Sequence, residues 1–271
     1  MRILFLGDIV GRTGRDTVGA ALPGLRERLR IDLAIVNAEN ASHGFGLAPD
    51  MAKALFKAGA DVITLGNHAW DRKEIIPFIA DTPRLIRPLN YPPNTPGAGS
   101  VVVELPDGRR ALVAQAMGRL FMDPLDCPFR GTADLLTKYR LGGTMSAIVV
   151  DFHAEATSEK MAFAHIFDGQ VSMVVGTHTH CPSGDAQILP NGTAFQSDAG
   201  MGGDYDSVIG MSKDGAALRF WRKMPGERLS PAEGEATLCG VMLETDDQTG
   251  LARRIAPLRI GGRLLPAMPE A

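Results

Sequence analysis

Through the first quarter of the chain, apolar residues fall in short β-branched runs separated by longer stretches of helical periodicity. Ile3 to Leu6, Leu33 to Val36 and Val62 to Leu65 read as buried strands. A helical pattern reaching about Arg30 and another from about Pro49 to Ala58 lie between them. Proline is tolerated in the first turn of a helix, where its missing N–H has no intrahelical acceptor, so Pro49 opens the second helix and Gly59 closes it. This βαβαβ opening predicts parallel strands covered by helices.

The middle and end of the chain carry hairpin signals instead. Val101 to Leu105 and Ala111 to Ala116 flank Pro106-Asp107-Gly108, and Asp-Gly favours the positive φ angles of a tight turn. Asn191-Gly192 sits between Ile188 and Phe195 in the same way, so the formal glycosylation sequon Asn191-Gly192-Thr193 is read as a turn. A third hairpin is expected around Asp246 to Gly250. Met117 to Leu141 and Met211 to Glu235, which includes Met224-Pro225-Gly226, read as loops with short helices. Parallel strands early and hairpins later fit an α/β fold of two mixed sheets packed face to face, a four-layer α/β/β/α sandwich, with residues 1–271 forming a single domain.

Composition narrows the function classes. Apolar residues make up 45% and charged residues 22%, and 28 Lys+Arg against 31 Asp+Glu give a net charge of −3, which excludes a disordered, collagenous or coiled-coil chain. No long basic run is present, so strong nucleic-acid binding through phosphate neutralisation is not expected. Cys127, Cys181 and Cys239 are too few and too scattered for a disulfide framework and suit a reducing compartment. The opening apolar run meets Gly7-Asp8 too early for a signal peptide, and later runs fall far short of the roughly 20 residues of a membrane helix. A cytoplasmic protein without a membrane partner is expected.

Five apolar runs end abruptly in residues able to ligate metal: Leu6-Gly7-Asp8, Val36-Asn37-Ala38-Glu39-Asn40, Leu65-Gly66-Asn67-His68, Val150-Asp151-Phe152-His153 and Val175-Gly176-Thr177-His178-Thr179-His180. These are strand C-terminal ends, and in open α/β sheets ligands bind in the crevice beyond them. Alternate residues leaving a strand point the same way, so His178 and His180 are expected to face one site or a pair of adjacent ions. With Asp8, Glu39, Asn67 and His153 they form a mixed oxygen and imidazole set suited to Mn, Fe or Zn, without the thiolates of a structural zinc site.

Other features have plainer readings. His165 lies in a helical stretch and is read as a surface or core residue, whereas His43, in Ser42-His43-Gly44-Phe45-Gly46, is open to a substrate contact. Gly7 to Gly14 lacks both the P-loop and the dinucleotide-binding spacing. Cys181 is followed by Pro182 with no nucleophile elbow around it and is read as structural. Trp70 is read as core packing, with stacking on a base as the alternative.

At the strand-end residues the sequence resembles the calcineurin-like metallophosphoesterases. Gly66-Asn67-His68 and Gly176-Thr177-His178-Thr179-His180 match that pattern directly. The usual Asp-x-His opening is here Asp8-Ile9-Val10, and Asn37-Ala38-Glu39-Asn40 replaces the usual Gly-Asp-x-x-Asp. These departures, with Gly7 to Arg12, Asp151 to Lys160 and Tyr205 to Met211, are similar to the YmdB family of bacterial phosphodiesterases, over nearly the whole chain. Gly202-Gly203-Asp204 departs from the Thr-Gly-Pro expected before Tyr205.

The resemblance implies the α/β/β/α fold, two divalent transition-metal ions, iron or manganese, and hydrolysis of a small-molecule partner, a 2′,3′-cyclic nucleotide, to a nucleoside monophosphate. Carried over residue by residue, it assigns Asp8, Glu39, Asn40 and His180 to one metal and Glu39, Asn67, His153 and His178 to the other, with Glu39 bridging. Asn40 takes the place of the superfamily's opening histidine, because Val10 cannot ligate. Metal-bound hydroxide would attack phosphorus while His68 protonates the departing ribose oxygen. A phosphomonoesterase or nucleotidase on the same metals, and a metal-binding regulatory protein, are the rival readings. A homo-oligomer is compatible with the chain.

Overall fold

The computed structural model describes residues 1–224 and 228–270. Residues 225–227, part of the irregular stretch expected at Met224-Pro225-Gly226, and residue 271 lie outside the described residues. Strand β1 (Arg2–Leu6) runs through the middle of an eight-stranded mixed sheet. On one side it pairs in parallel with β3 (Leu33–Asn37), followed by β4 (Val62–Thr64) and β5 (Leu85–Ile86). On the other it meets β13 (Ala236–Thr245) antiparallel. Strand β13 pairs with both β14 (Ala252–Ile260) and β12 (Met201–Asp204), and β12 carries the two-residue β2 (Asp8–Ile9).

The second sheet has six strands in the order β10 (Gln187–Ile188), β11 (Ala194–Gln196), β9 (Met173–Thr177), β8 (Ala147–His153), β7 (Arg110–Met117) and β6 (Ser100–Glu104). The three expected hairpins are the antiparallel pairs β6/β7, β10/β11 and β13/β14.

Alternation along the strands explains the layers. Ile3 and Phe5 of β1 face a core between the sheets, with Leu33, Ile35, Val113, Val149 and Val175. Leu4 and Leu6 face the opposite way, against Val18 and Leu22 of α1 (Gly11–Leu29), Leu55 of α2 (Pro49–Lys57) and Ile75 of α3 (Ile75–Ala80). Beyond the second sheet, Ile148, Val150 and Phe152 pack on Phe163 of α5 (Thr157–Ile166) and Phe129 of α4 (Pro128–Leu136), with the Phe152 and Phe163 rings stacked at 4.1 Å. Strands buried on both faces must be apolar at consecutive positions, which accounts for the unbroken runs in the sequence. Three cores between four layers make the fold an α/β/β/α sandwich.

The irregular stretches hold α4 and α6 (Lys213–Arg222). No helix among the described residues is long and apolar enough to cross a membrane.

Candidate metal centre

Strands β3, β4, β8 and β9 deliver their last or following residues to one edge of the sandwich. Asp8 arrives differently from the expectation, since it opens β2 rather than leaving β1. The chain changes partners at Gly7, where an added Cβ would come within 1.8 Å of the Gly200 carbonyl oxygen; only glycine permits that approach. Asp8 then donates its N–H to the Gly200 carbonyl at 3.1 Å.

Two groups of possible ligand atoms form, each within 4.8 Å of one another: Asp8, Glu39 and His180, and Glu39, His153 and His178. Glu39 belongs to both. Asn67 Oδ1 lies 2.8 Å from His153 Nε2, and the Asn40 amide lies 3.1 Å from both Glu39 Oε1 and His180 Nε2. All seven residues named from the sequence are therefore brought together. Asn40 presents its nitrogen to the centre, and a half-turn of the amide would present its oxygen.

His178 and His180 come from a turn, not from the alternation of a strand. Both have left-handed backbones, with φ of 94° and 66°, and their imidazoles go to different groups. Such backbone conformations persist for non-glycine residues only where the surroundings hold them. Here Asp198 Oδ2 accepts hydrogen bonds from Thr179 N at 3.0 Å and Thr179 Oγ1 at 2.7 Å. The buried Lys160 ammonium reaches the same Asp198 oxygen at 3.0 Å and the Thr177 carbonyl at 2.8 Å, which fixes the turn from behind.

Each imidazole is also held from its far side. Thr177 donates its hydroxyl proton to Asp151 Oδ1 at 2.7 Å, so it accepts from His153 Nδ1–H at 2.8 Å and leaves His153 Nε2 facing the centre. Asp151 takes three further donors, from Thr64, Asn37 and Gln115. His180 donates from Nδ1 to the Ile209 carbonyl at 2.7 Å. Bonds of this kind fix tautomer and ring orientation behind a metal ligand. His178 turns Nδ1 toward His153 and places Nε2 3.2 Å from Glu155.

The electrostatics fit bound cations. Burial pushes the Asp8 carboxyl well above its ordinary range, with the Glu39, Asp198 and Asp151 charges adding to the effect. Asp8 Oδ2 accepts the His178 N–H at 3.2 Å, but buried Oδ1 has no hydrogen-bond partner, and His180 Nε2 is 3.9 Å away. Burial and the His153 charge press His178 down to about 3. Burial is the largest influence on His153 and opposes its imidazolium, yet Glu39, Asp8 and Asp151 together outweigh it and hold His153 at about 9, while His153 and His68 together overcome burial at Glu39 and depress its carboxyl. An orphaned carboxylate oxygen among imidazole and amide donors is a set that divalent transition metals match.

His68 stands outside both groups. Its N–H donates to Glu39 Oε2 at 3.0 Å, its Nδ1 lies 2.9 Å from Asp71 Oδ2, and the Phe45 ring meets it edge-on at 5.0 Å. His43 is exposed, with Nδ1 3.3 Å from Arg72, and His165 is exposed on α5. Trp70 packs against the helix-side core beside Tyr91, with ring centroids 6.1 Å apart. Cys181 is exposed and its thiol is raised, first by burial of the sulfur's surroundings, which does not favour a nucleophile.

Sequence reasoning included Asp151, Thr177 and Lys160 only within longer motifs, without a role of their own, and did not name Asp71 or Asp198. The i, i+3 spacing of His68 and Asp71 was the available signal for one of them; the others acquire their partners only through the tertiary fold.

The sequence model of the YmdB-like proteins matches residues 4–258. The chain belongs to the YmdB-like family. It is 45% identical over 260 residues to the 2′,3′-cyclic-nucleotide 2′-phosphodiesterase of Bacillus subtilis (strain 168), covering 96% of this chain and 97% of that protein. Among solved structures, a Thermus thermophilus protein of unstated function superposes with a TM-score of 0.90 at 43% identity, covering 97% of this chain and all of that one. A Mycoplasma pneumoniae protein described as a novel phosphatase superposes with a TM-score of 0.89 at 35% identity, covering 96% and 93%. The family's fold and the four layers seen here agree.

Proposed function

We propose that this chain is a metal-dependent phosphodiesterase that hydrolyses 2′,3′-cyclic nucleotides to nucleoside monophosphates. The observation that carries the reading is the Glu39-centred cluster, in a chain 45% identical to a named 2′,3′-cyclic-nucleotide 2′-phosphodiesterase. One ion would be held by Asp8, Glu39, Asn40 and His180, and a second by Glu39, Asn67, His153 and His178, with iron or manganese suiting the mixed donors. Bound there, the ions supply Lewis acidity that polarises the phosphoryl oxygens and activates water.

The remaining work belongs to side chains. Asp71 accepts from Nδ1 of the His68 imidazolium and so turns Nε2–H outward from the His68–Asp71 pair. The proton at Nε2 passes to the departing ribose oxygen, leaving His68 neutral with its Nδ1–H still on Asp71. The relative's name puts the cleaved ester at O2′, which makes the 3′-monophosphate the product assigned here. Asp151 and Thr177 hold His153 in register throughout, and Lys160 with Asp198 holds the histidine turn. We assign the protein to a reducing cytoplasm, consistent with three free cysteines, and treat residues 1–271 as one domain.

The experiment is turnover by metal-supplemented protein of 2′,3′-cyclic AMP, 3′,5′-cyclic AMP and a phosphomonoester. The specificity constant is expected to be highest for the 2′,3′-cyclic substrate. Preference for the monoester would favour the phosphatase description carried by the Mycoplasma relative. Binding without product would favour a regulatory role.

A further inference from the structure

A cavity of about 650 Å³ opens between the loop after β7 and the first turns of α5. Leu120, Met122, Leu125, Phe129 and Ala162 give it largely apolar walls, with Arg119, Ser158 and Glu159 adding polar atoms. That size and lining are typical of small-molecule pockets, about 300–1,000 Å³ with a few polar groups.

Its position ties it to the metal centre. Gly118 donates its N–H to the His153 carbonyl at 2.9 Å, so the loop leaves the sheet directly beside a residue of the centre. Buried Glu159 then accepts from Arg119 N at 3.0 Å and from Leu120 N at 3.1 Å, which pins the loop to α5. The other flank is fixed by Asn90, whose amide donates to the Met117 and Asp126 carbonyls at 2.8 and 2.9 Å. Next to Asn90, the Tyr91 hydroxyl donates to the Gly66 carbonyl at 3.0 Å, immediately before Asn67 and His68. The loop that walls the pocket is thus tied directly to the backbone of His153 and, through Asn90 and Tyr91, to the turn that carries Asn67 and His68.

The same loop carries Phe121, which is 90% exposed with a left-handed backbone at φ 60°. An aromatic side chain held in water forgoes burial, and a left-handed backbone adds strain for any residue with a Cβ. Such strain is retained at sites that use it. A projecting ring beside an apolar pocket is a stacking platform for a flat ligand.

We propose that this cavity is the nucleobase subsite, resting on the phosphodiesterase reading: with the phosphate at the metal centre and the ribose oxygen at His68, the base enters the cavity and stacks on Phe121. Every base offers a π-face and few polar groups line the walls, so the subsite favours nucleotides over base-free cyclic phosphates more than it separates one base from another.

The test compares 2′,3′-cyclic AMP with the base-free methyl riboside 2′,3′-cyclic phosphate in wild type, Phe121→Ala and the cavity-filling Ala162→Trp, with adenosine binding measured by calorimetry. Both variants are expected to raise KM for the nucleotide about tenfold or more, to leave the base-free substrate and kcat nearly unchanged, and to weaken adenosine binding. Equal effects on both substrates, or none on the nucleotide, would overturn the subsite. So would loss of an oligomer in Phe121→Ala by light scattering with nucleotide KM unchanged, which would make the ring a contact between copies of the chain. If wild type turns over neither cyclic phosphate, the phosphodiesterase reading fails by itself. Adenosine binding then decides the cavity: binding lost in both variants supports it, and no binding by wild type overturns it.

Discussion

Asp71 Oδ2 lies 2.9 Å from Nδ1 of His68, and His68 alone among the strand-end histidines belongs to neither group of possible metal ligands. A histidine oriented by a carboxylate, beside a cluster of possible metal ligands but not within it, is placed to carry a proton. His68→Ala is expected to keep full metal content and lose roughly 10² to 10⁴ in kcat on cyclic nucleotides. A nitrophenyl diester, whose leaving group needs little protonation, is expected to lose much less. Asp71→Ala removes only the orientation and is expected to show the same leaving-group dependence at a smaller loss, on the order of tenfold. Metal loss in His68→Ala, or equal losses with both leaving groups, would make His68 a ligand or a phosphate-orienting group instead.

Glu39 contributes to both groups of ligand atoms, which gives it a consequence no other residue shares. Glu39→Gln keeps the shape and removes the charge. Elemental analysis after metal-replete expression is expected to find close to two ions per chain in wild type and a fall at both positions in the variant. Loss of a single ion, with the other retained at full occupancy, would place the bridge elsewhere.

Asp8 predicts an opposition between stability and metal binding. Its carboxyl is raised by burial and its Oδ1 has no hydrogen-bond partner, so the charged form is destabilising when no cation compensates it. The sign follows from linkage: with the folded value above the unfolded one, the folded chain holds the proton more tightly. Asp8 therefore costs stability as pH rises from the ordinary carboxylate range through its raised folded value. In chelator-treated protein at neutral pH, Asp8→Asn is expected to melt higher than wild type, and the order is expected to reverse when metal is restored. A lower melting temperature for Asp8→Asn in both conditions would mean that the bond from His178 N–H to Asp8 Oδ2 outweighs the cost of burying the charge.

The sequence disclosed this centre unevenly, for physical reasons. Asp8, Glu39, Asn67 and His153 were legible because a strand buried on both faces has no local use for a polar residue at its end. Alternate spacing predicts that His178 and His180 face one site or a pair of adjacent ions, and they do reach two adjacent groups, but from a turn with left-handed backbones and not from the alternation of a strand. Lys160 reads in sequence as an ordinary charge on a helix, and its burial makes sense only with Asp198 lying 3.0 Å away across the fold. The four layers followed from the order of parallel runs and hairpins, but the cavity beside α5 depends on Glu159 capturing two backbone N–H groups 39 and 40 residues distant, which no periodicity records.

Thr177 is another such partner, acquired only through the fold. Its hydroxyl joins Asp151 to His153 at 2.7 and 2.8 Å inside a fully buried site. Thr177→Val preserves the volume and deletes the hydroxyl, leaving a carboxylate oxygen without one donor and His153 Nδ1–H without its acceptor. Unsatisfied buried groups cost about 1–3 kcal/mol, so a lower unfolding free energy is expected. The effect specific to the centre is on metal: affinity at the position shared by His153 and His178 is expected to fall about 10- to 100-fold, with the position of Asp8 and His180 much less affected. Thr177→Ser retains the hydroxyl and is expected to recover most of the affinity even if it leaves a small cavity where the methyl packed. Equal loss of affinity in the Val and Ser variants would show that packing at Thr177, and not its hydrogen-bond relay to His153, sets the metal position.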